Sequence, residues 1–406
     1  MKNLEILIQE LCPDGVEFVK LGDVCEIKGR IGFRGYTRKD LVSESEGAIT
    51  LSPSNIINGN IVYDKCSFIS WAKYEESPEI MAEVGDVVFT KTASVGKTAY
   101  IENMPKEMTI NPQLVLLKKF RGISKYLAYI LKTTYFQNEV KKITGVGSVP
   151  NVPQSSLAKI EIPLPPIEVQ AEIVRILDKF TSLEAELEAE LDCRKRQYEY
   201  YRDKLLSFDT VGGQEVTISK IGDIGRICMC KRIMKNQTNS ESGIPFYKIG
   251  TFGKVADAYI SNDVYEEYKK MYSYPKKGDI LMSASGTIGR TVVFNGEPSY
   301  FQDSNIVWVD NDETKVFNSY LNYYYQIIEW KTQGGTIKRL YNNLLAGATI
   351  KYPSLEEQRR IVSILDRFES LTTSLQSGLP AEIAARRKQY EHYRDKLLTF
   401  KRKGAA

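Results

Sequence analysis

Histidine is almost missing from this chain: there is one, His392, in 406 residues. Imidazole-based proton transfer and histidine-rich metal sites are therefore nearly excluded. Cysteine is sparse too, with six residues scattered at positions 12, 25, 66, 193, 228 and 230. Cys228-Met-Cys230 is too tight for a zinc knuckle and no second pair stands at ligand spacing, so the thiols read as reduced cysteines. No run of 18 apolar residues occurs, which excludes a membrane-spanning helix of ordinary length. The first residues carry one early lysine, then acids, with no small-residue cleavage pattern, unlike a secretory signal. A cytoplasmic protein without membrane contact is expected. A strong charge of one sign is also lacking: the net charge is +4.

Hydrophobic residues make up 42% and charged residues 26%, values of a folded water-soluble protein. The length suggests two domains with connectors. Charge is uneven along the chain: residues 18–163 carry +4, 164–208 carry −3, 209–351 carry +2 and 352–406 carry +4. Two modestly basic segments suit a phosphate backbone without demanding one. The 25 tyrosines suit a contact surface as well as a half-buried core.

An internal repeat organises the chain. Gln170-AEIVRILDKF-180 matches Gln358-RRIVSILDRF-368 at seven of eleven positions, and Arg196-QYEYYRDKLLSF-208 matches Lys388-QYEHYRDKLLTF-400 at ten of thirteen. In the first copy Ile173, Leu177, Phe180, Leu183, Leu187, Leu191, Tyr198 and Tyr201 recur at helical spacing. Ile361, Leu365, Phe368, Leu371, Leu375, Tyr390 and Tyr393 do so in the second. One apolar seam on each helix, of the same sequence, suggests an antiparallel pair that buries both. Pro165-Pro166 and the capping-box form Ser354-Leu-Glu-Glu357 mark the helix starts. Residues 166–206 span roughly 60 Å at 1.5 Å per residue. Leu183-EAE-Leu187-EAE-Leu191 repeats a four-residue unit, so length changes in steps of about 6 Å. The second copy has four extra residues and Gly378-Leu-Pro380, which predicts a break near 377–380.

The blocks between the helices are weakly related. Lys20-Leu-Gly-Asp-Val24 corresponds to Lys220-Ile-Gly-Asp-Ile224. Gly85-Asp-Val-Val-Phe89 with Ser94-Val-Gly-Lys97 corresponds to Gly278-Asp-Ile-Leu-Met282 with Thr287-Ile-Gly-Arg290, and Gly147 to Gly335. Short β-branched runs at 86–90, 99–101, 113–117, 279–283, 291–294 and 305–309 predict strands, and 123–141 and 316–331 predict helices. The chain reads as α+β: two mostly-β α/β domains joined by two long antiparallel helices, in a pseudo-twofold cyclic arrangement. The segments are 1–17 (a helical piece closing the ring), 18–163, 164–208, 209–351 and 352–402. Residues 4–11 are expected to stand before Lys20 where the helix tail 205–208 stands before Lys220, and to meet the C-terminus.

Catalytic motifs fail on inspection. Lys91-TASVGKT-98 lacks the first glycine of a phosphate loop, and its repeat, Ala284-SGTIGRT-291, has arginine for the lysine. Asn111-Pro-Gln-Leu114 lacks the second proline and the aromatic ring of a methyltransferase tetrapeptide. Asp312-Glu-Thr-Lys315 reads as a charged turn. No catalytic residue and no metal ligand is expected. Candidates for DNA contact are Lys91, Ser94, Lys97 and Gln113, and in the second block Ser283, Ser285, Arg290, Gln302 and Asn305. Amides suit adenine edges, and cations suit guanine. Lys141, Lys142 and Ser148, with Lys338 and Arg339, flank the paired glycines and suit phosphate anchoring. A solvated surface role stays open for each.

The order of motifs resembles the specificity (S) subunits of type I restriction-modification systems. The resemblance rests on Leu11-Cys-Pro-Asp-Gly-Val-Glu, Lys20-Leu-Gly-Asp, residues 165–178 and 196–206, and their near-duplicates at 352–366 and 388–398. It implies two target-recognition domains, each reading half of a split, asymmetric site in double-stranded DNA, and helices that set the spacing and dock two methyltransferase subunits. It also implies up to two restriction subunits, with S-adenosylmethionine, ATP and Mg bound by partners and no cofactor on this chain. The family's Glu-Gln pair is Val169-Gln170 in the first copy, a departure expected to touch only a surface contact. Three other readings stay open: a coiled-coil adaptor without DNA specificity, a nuclease or ATPase, and an S-like protein serving a different system.

Overall fold

The β-branched runs form strands, and the strands assemble twice in the same order. The computed structural model describes residues 2–30, 35–145, 147–208, 215–335, 338–373 and 378–404. It divides into unit 1, Met1–Leu187 with Ile383–Ala406, and unit 2, Glu188–Glu382. In unit 1 an antiparallel sheet runs Glu26–Gly29, Leu114–Lys118, Val87–Thr90, Thr98–Tyr100. Unit 2 repeats it as Gly225–Cys228, Ile306–Asn311, Ile280–Ser283, Thr291–Val293. Each unit adds a second four-stranded sheet with one parallel pairing: Met108–Ile110 on Gly47–Leu51, and Tyr300–Phe301 on Ile244–Tyr247. A short antiparallel pair completes each, Phe18–Lys20 with Glu161–Pro163 and Thr217–Lys220 with Thr349–Tyr352.

Side chains alternate across the main sheet and both faces are covered, so its strands read as continuous apolar runs. Val87, Phe89, Val115 and Leu117 enter a core shared with the helices, whereas Val88, Leu114 and Leu116 face the second sheet. Unit 2 splits Met282, Val307 and Val309 from Leu281, Ile306 and Trp308 in the same way. The helix expected over 123–141 is two, Ser124–Leu131 and Thr134–Ile143, because the Thr133 hydroxyl caps the second by accepting from Phe136 N. That expected over 316–331 is confined to Asn318–Tyr324, since the amides of Gln326 and Ile327 turn back onto Tyr323 and Tyr324.

The central helix is continuous over Ile167–Ser207, 41 residues. In the second copy Leu355–Thr373 ends and Leu379–Leu397 begins, with Gly378 at φ +79°. A Cβ there would stand 2.8 Å from the Leu371 carbonyl oxygen, so only glycine fits the turn. Pro380 is the second residue of the new helix, where no amide donor is needed. Residues 374–377, with the expected seam residue Leu375, lie outside the described residues.

The helix seams pack as repeat-related rings. Phe180 stacks on Tyr393 in unit 1 (5.5 Å, 28°), and Phe368 on Tyr201 in unit 2 (5.8 Å, 28°). Ile173, Leu177, Ile361 and Leu365 are buried under the sheets, while Leu187, Leu191, Tyr198 and Tyr390 are half-buried. Leu183 and Leu371 depart from the expected seam: they occupy matched positions and are 48% and 51% exposed. A 3.6-residue period drifts off a strict heptad, and position 184 takes the inward place. There Glu184 pairs with Arg387 at 2.7 Å.

Each long helix is clamped to its domain by a buried glutamine. Gln170 Oε1 accepts from Ile123 N (2.9 Å) while its Nε2 donates to Pro165 O (2.7 Å). Gln358 accepts from Phe317 N (3.0 Å) and donates to Pro353 O (2.9 Å) and Lys315 O (3.0 Å). Tyr129 and Tyr323 reach Asp178 and Asp366, each at 2.5 Å. The Val169-Gln170 departure is therefore not on the surface: Val169 is 0% and Gln170 2% exposed. Burial favours valine where the second copy keeps Glu357 paired with Arg360.

The chain ends meet within unit 1. Val16 N donates to Lys401 O (2.8 Å) and Lys403 N to Val16 O (3.0 Å), and Arg402 pairs with Glu161 at 2.6 Å. Leu397, Leu398 and Phe400 enter the unit 1 core as Leu205, Leu206 and Phe208 enter that of unit 2. The tail of the C-terminal helix thus takes the place expected of residues 4–11. Lys2–Leu11 instead packs as an added helix, with Leu4 buried.

Candidate nucleic-acid interface

In both units the strand-turn-strand hairpin of the main sheet is pinned by a segment near the paired glycine. Thr92 bridges Asn151, which bridges Gly145, and Ser285 bridges Arg339, which bridges Gln333. Lys91 N donates to Gln113 O (2.9 Å) and receives Val152 N on its carbonyl (2.8 Å). Ala284 does the same with Asn305 O (2.7 Å) and Leu340 N (2.9 Å). The next turn position is left-handed in both, Ala93 at φ +64° and Gly286 at +66°. These matched hydrogen bonds fix one crossing of three chain segments in each unit.

Of the sequence candidates, Lys91, Gln113, Ser285, Asn305 and Arg339 take part in the bonds and bridges of the crossings. In unit 1, Ser94 is exposed, while Lys91 is half-buried and its ammonium is pushed below the usual lysine range by desolvation. No acid pairs with it among the described residues. The exposed Lys97 donates to Pro53 O (3.1 Å) and Ile56 O (3.4 Å). Gln113 holds the turn before its strand through Asn111 (3.1 Å). Lys141 and Lys142 end the helix Thr134–Ile143, with Lys142 paired to Glu139 at 2.6 Å, and Ser148 is exposed.

In unit 2 several candidates turn inward. Ser283 is 1% exposed and its hydroxyl accepts from Arg290 N (3.0 Å), closing the hairpin. Gln302 Oε1 accepts from Ile249 N (2.9 Å). Ser285 donates to Asn305 Oδ1 (2.8 Å), the same oxygen that takes Arg339 Nη2 (2.7 Å). Arg290 lies over the Phe252 ring at 5.9 Å. Lys338 is exposed and unpaired among the described residues, and Arg339 is half-buried. Asn151, the partner of Arg339 in the repeat, was absent from the sequence candidates; it is exposed and accepts from Thr92 at 2.8 Å.

Nothing at the crossing resembles a catalytic centre. Among the described residues no cluster of His, Cys, Asp and Glu could hold a metal ion, and no helix is long and apolar enough to cross a membrane. The arrangement offers hydrogen-bond donors, amides and cations on a rigid loop platform, which suits contact with a polar, anionic surface.

Comparison with known proteins agrees with this arrangement. Residues 13–192 and 213–385 each match the type I restriction modification DNA specificity domain. A type I restriction enzyme specificity subunit of Haemophilus influenzae is 57% identical over 256 residues, covering 61% of this chain and 66% of that protein. The EcoR124I/EcoR124II specificity subunit of Escherichia coli is 34% identical over 270 residues, covering 60% and 64%. The chain thus spans just under two thirds of the length of these relatives. A solved chain from work on complex assembly and conformational transition of the type I R-M system shares the fold, with TM-score 0.60, 21% identity, and coverage of 95% of this chain and 97% of that one. With two matched domains filling most of its length, the chain belongs to the family of type I restriction modification DNA specificity domains.

Proposed function

We propose that the chain is the DNA sequence-specificity subunit of a type I restriction-modification enzyme, each unit reading one half of a bipartite, asymmetric site in duplex DNA. The observation that carries this reading is the crossing itself: the same backbone scaffold occurs twice and bears unlike side chains. Two copies of one scaffold with one set of side chains would suit a palindrome instead. Lys91, Ser94, Lys141, Lys142 and Ser148 in unit 1, with Arg290, Lys338 and Arg339 in unit 2, face the DNA. Gln113, Ser283, Ser285, Gln302 and Asn305 hold the platform in shape.

The long helix sets the distance between the half-sites. Leu183 and Leu371, exposed at matched positions, support docking of a pair of like partners, two methyltransferase subunits, with up to two restriction subunits beyond them. S-adenosylmethionine, ATP and Mg belong to those partners, as does all bond-making, and the complex works on DNA in the cytoplasm.

Co-expression with the methyltransferase subunit tests this reading. The complex is expected to bind duplex DNA with an affinity that falls steeply as salt rises, and to methylate a split motif. Replacing residues 18–163 by those of a relative should change one half of the motif only. An affinity that stays flat with salt, or methylation without a motif, overturns the proposal.

A further inference from the structure

The two crossings are alike in backbone and different in chemistry at one position, which Asn151 fills in unit 1 and Arg339 in unit 2. We infer that this position is a base-reading position in each domain, with Arg339 taking a guanine edge and Asn151 an adenine edge. The inference rests on the specificity reading above and goes further, naming a specificity-determining side chain for each half-site.

Arg339 is rooted firmly. Its amide donates to Gln333 O (2.8 Å) and its carbonyl accepts from Gln333 N (3.0 Å). Its Nη2 donates to Asn305 Oδ1 (2.7 Å), Ser304 Oγ (3.1 Å) and Ser304 O (3.2 Å). Nη1 and Nε have no acceptor among the described residues, and no carboxylate pairs with the guanidinium. A purely structural arginine at a half-buried place would gain most from an acid, and here one nitrogen is fixed while the other two remain available. Such a guanidinium presents donors in a set direction without losing rotamer freedom on binding, which favours discrimination over mere attraction. Guanine offers O6 and N7 as adjacent acceptors in the major groove, and the free Nη1 amino group can donate to either.

Asn151 has the matching root. Gly145 N donates to its carbonyl (2.9 Å), and Thr92 Oγ1 donates to its Oδ1 (2.8 Å), which orients the amide plane. Nδ2 and the second lone pair of Oδ1 are left without partners among the described residues. A side-by-side donor and acceptor is what adenine N7 and N6 require. Lys141, Lys142 and Lys338 differ: they are exposed and lack comparable anchors, so they suit phosphate, which carries no sequence information.

The test uses the full chain co-expressed with its methyltransferase partner, with methylated bases mapped across the host genome. Arg339→Ala and Arg339→Gln are expected to relax preference at one G·C pair in one half-site by roughly 5- to 100-fold, leaving the other half unchanged. Asn151→Ala should relax one A·T pair in the other half to a similar degree. A second measurement needs no variant that might misfold: 7-deazaguanine, which lacks N7, is placed at each guanine of the wild-type site in turn. One substitution in one half-site should weaken wild-type binding, while substitutions at the remaining guanines of that half-site leave it unchanged. Uniform weakening at unchanged base preference, change in both halves, or indifference to every 7-deazaguanine overturns the inference while leaving the specificity reading intact. Absence of any split motif for the wild type overturns the specificity reading, and the inference with it.

Discussion

Replacing Gln358 by leucine isolates the joint between helix and recognition domain. The side chain is 0% exposed and satisfies one backbone donor, Phe317 N, and two backbone acceptors, Lys315 O and Pro353 O. Leucine keeps most of the volume, so the loss is almost wholly polar. Each buried group left unpaired costs about 1–3 kcal/mol, and some relaxation is expected. A loss of about 3 kcal/mol in unit 2 follows, or roughly a hundredfold in the opening equilibrium. Gln170→Leu, which releases two groups, should cost about 2 kcal/mol. Amide hydrogen exchange gives the local readout: Phe317 N should exchange faster in one variant and Ile123 N in the other. Gln358→Glu adds a pH signature. Its carboxylate would face two carbonyl oxygens, which raises its folded pKa above the unfolded value near 4.3. The protonated acid can still donate once, so its advantage over leucine is full below about pH 4 and fades as pH rises through the folded pKa. A loss below about 1 kcal/mol, with exchange at Phe317 unchanged, would refute the clamp.

Three further outcomes follow from the helices and the first domain. Leu177→Ala, at a site 0% exposed, should cost about 2–5 kcal/mol in denaturant melts, whereas Leu183→Ala, 48% exposed, should cost under about 0.5. Equal losses would restore the strict heptad seam. Burial lowers the Lys132 ammonium to about 8 from 10.5, so its charge opposes folding at neutral pH. Lys132→Met is expected to raise stability at pH 7 by up to about 3 kcal/mol. Because the native state binds fewer protons, wild-type stability rises from about pH 8 to 10.5, and the advantage of methionine should shrink across that window. A constant advantage in melts at pH 7 and pH 10 refutes the burial argument. Deleting residues 184–187 removes one LEAE step, about 6 Å of helix. Methylated-base mapping should then show a shorter gap between unchanged half-sites, and new half-site letters with the old gap would rule the spacer out.

The duplicated helix was legible because its information is local: a period, a repeat and a glycine-proline pair that stops it. Its inner face was less so, since Glu184 displaces Leu183 only by virtue of Arg387, some 200 residues away. The inward turn of Ser283 and Ser285 was hidden for a similar reason, because hairpin residues count as exposed until another segment crosses them. Asn151 was missed outright. It shares no residue type with Arg339, and its bridge to Thr92 spans 59 positions. The signal was nonetheless present, since the glycines 147 and 335 were paired at an offset of 188, and four residues beyond each lie Asn151 and Arg339. On the proposed reading of two unlike half-sites, likeness marks the scaffold and unlikeness at a matched position marks the reader. A repeat alignment is therefore most informative where it fails, provided the backbone hydrogen bonds on either side still agree.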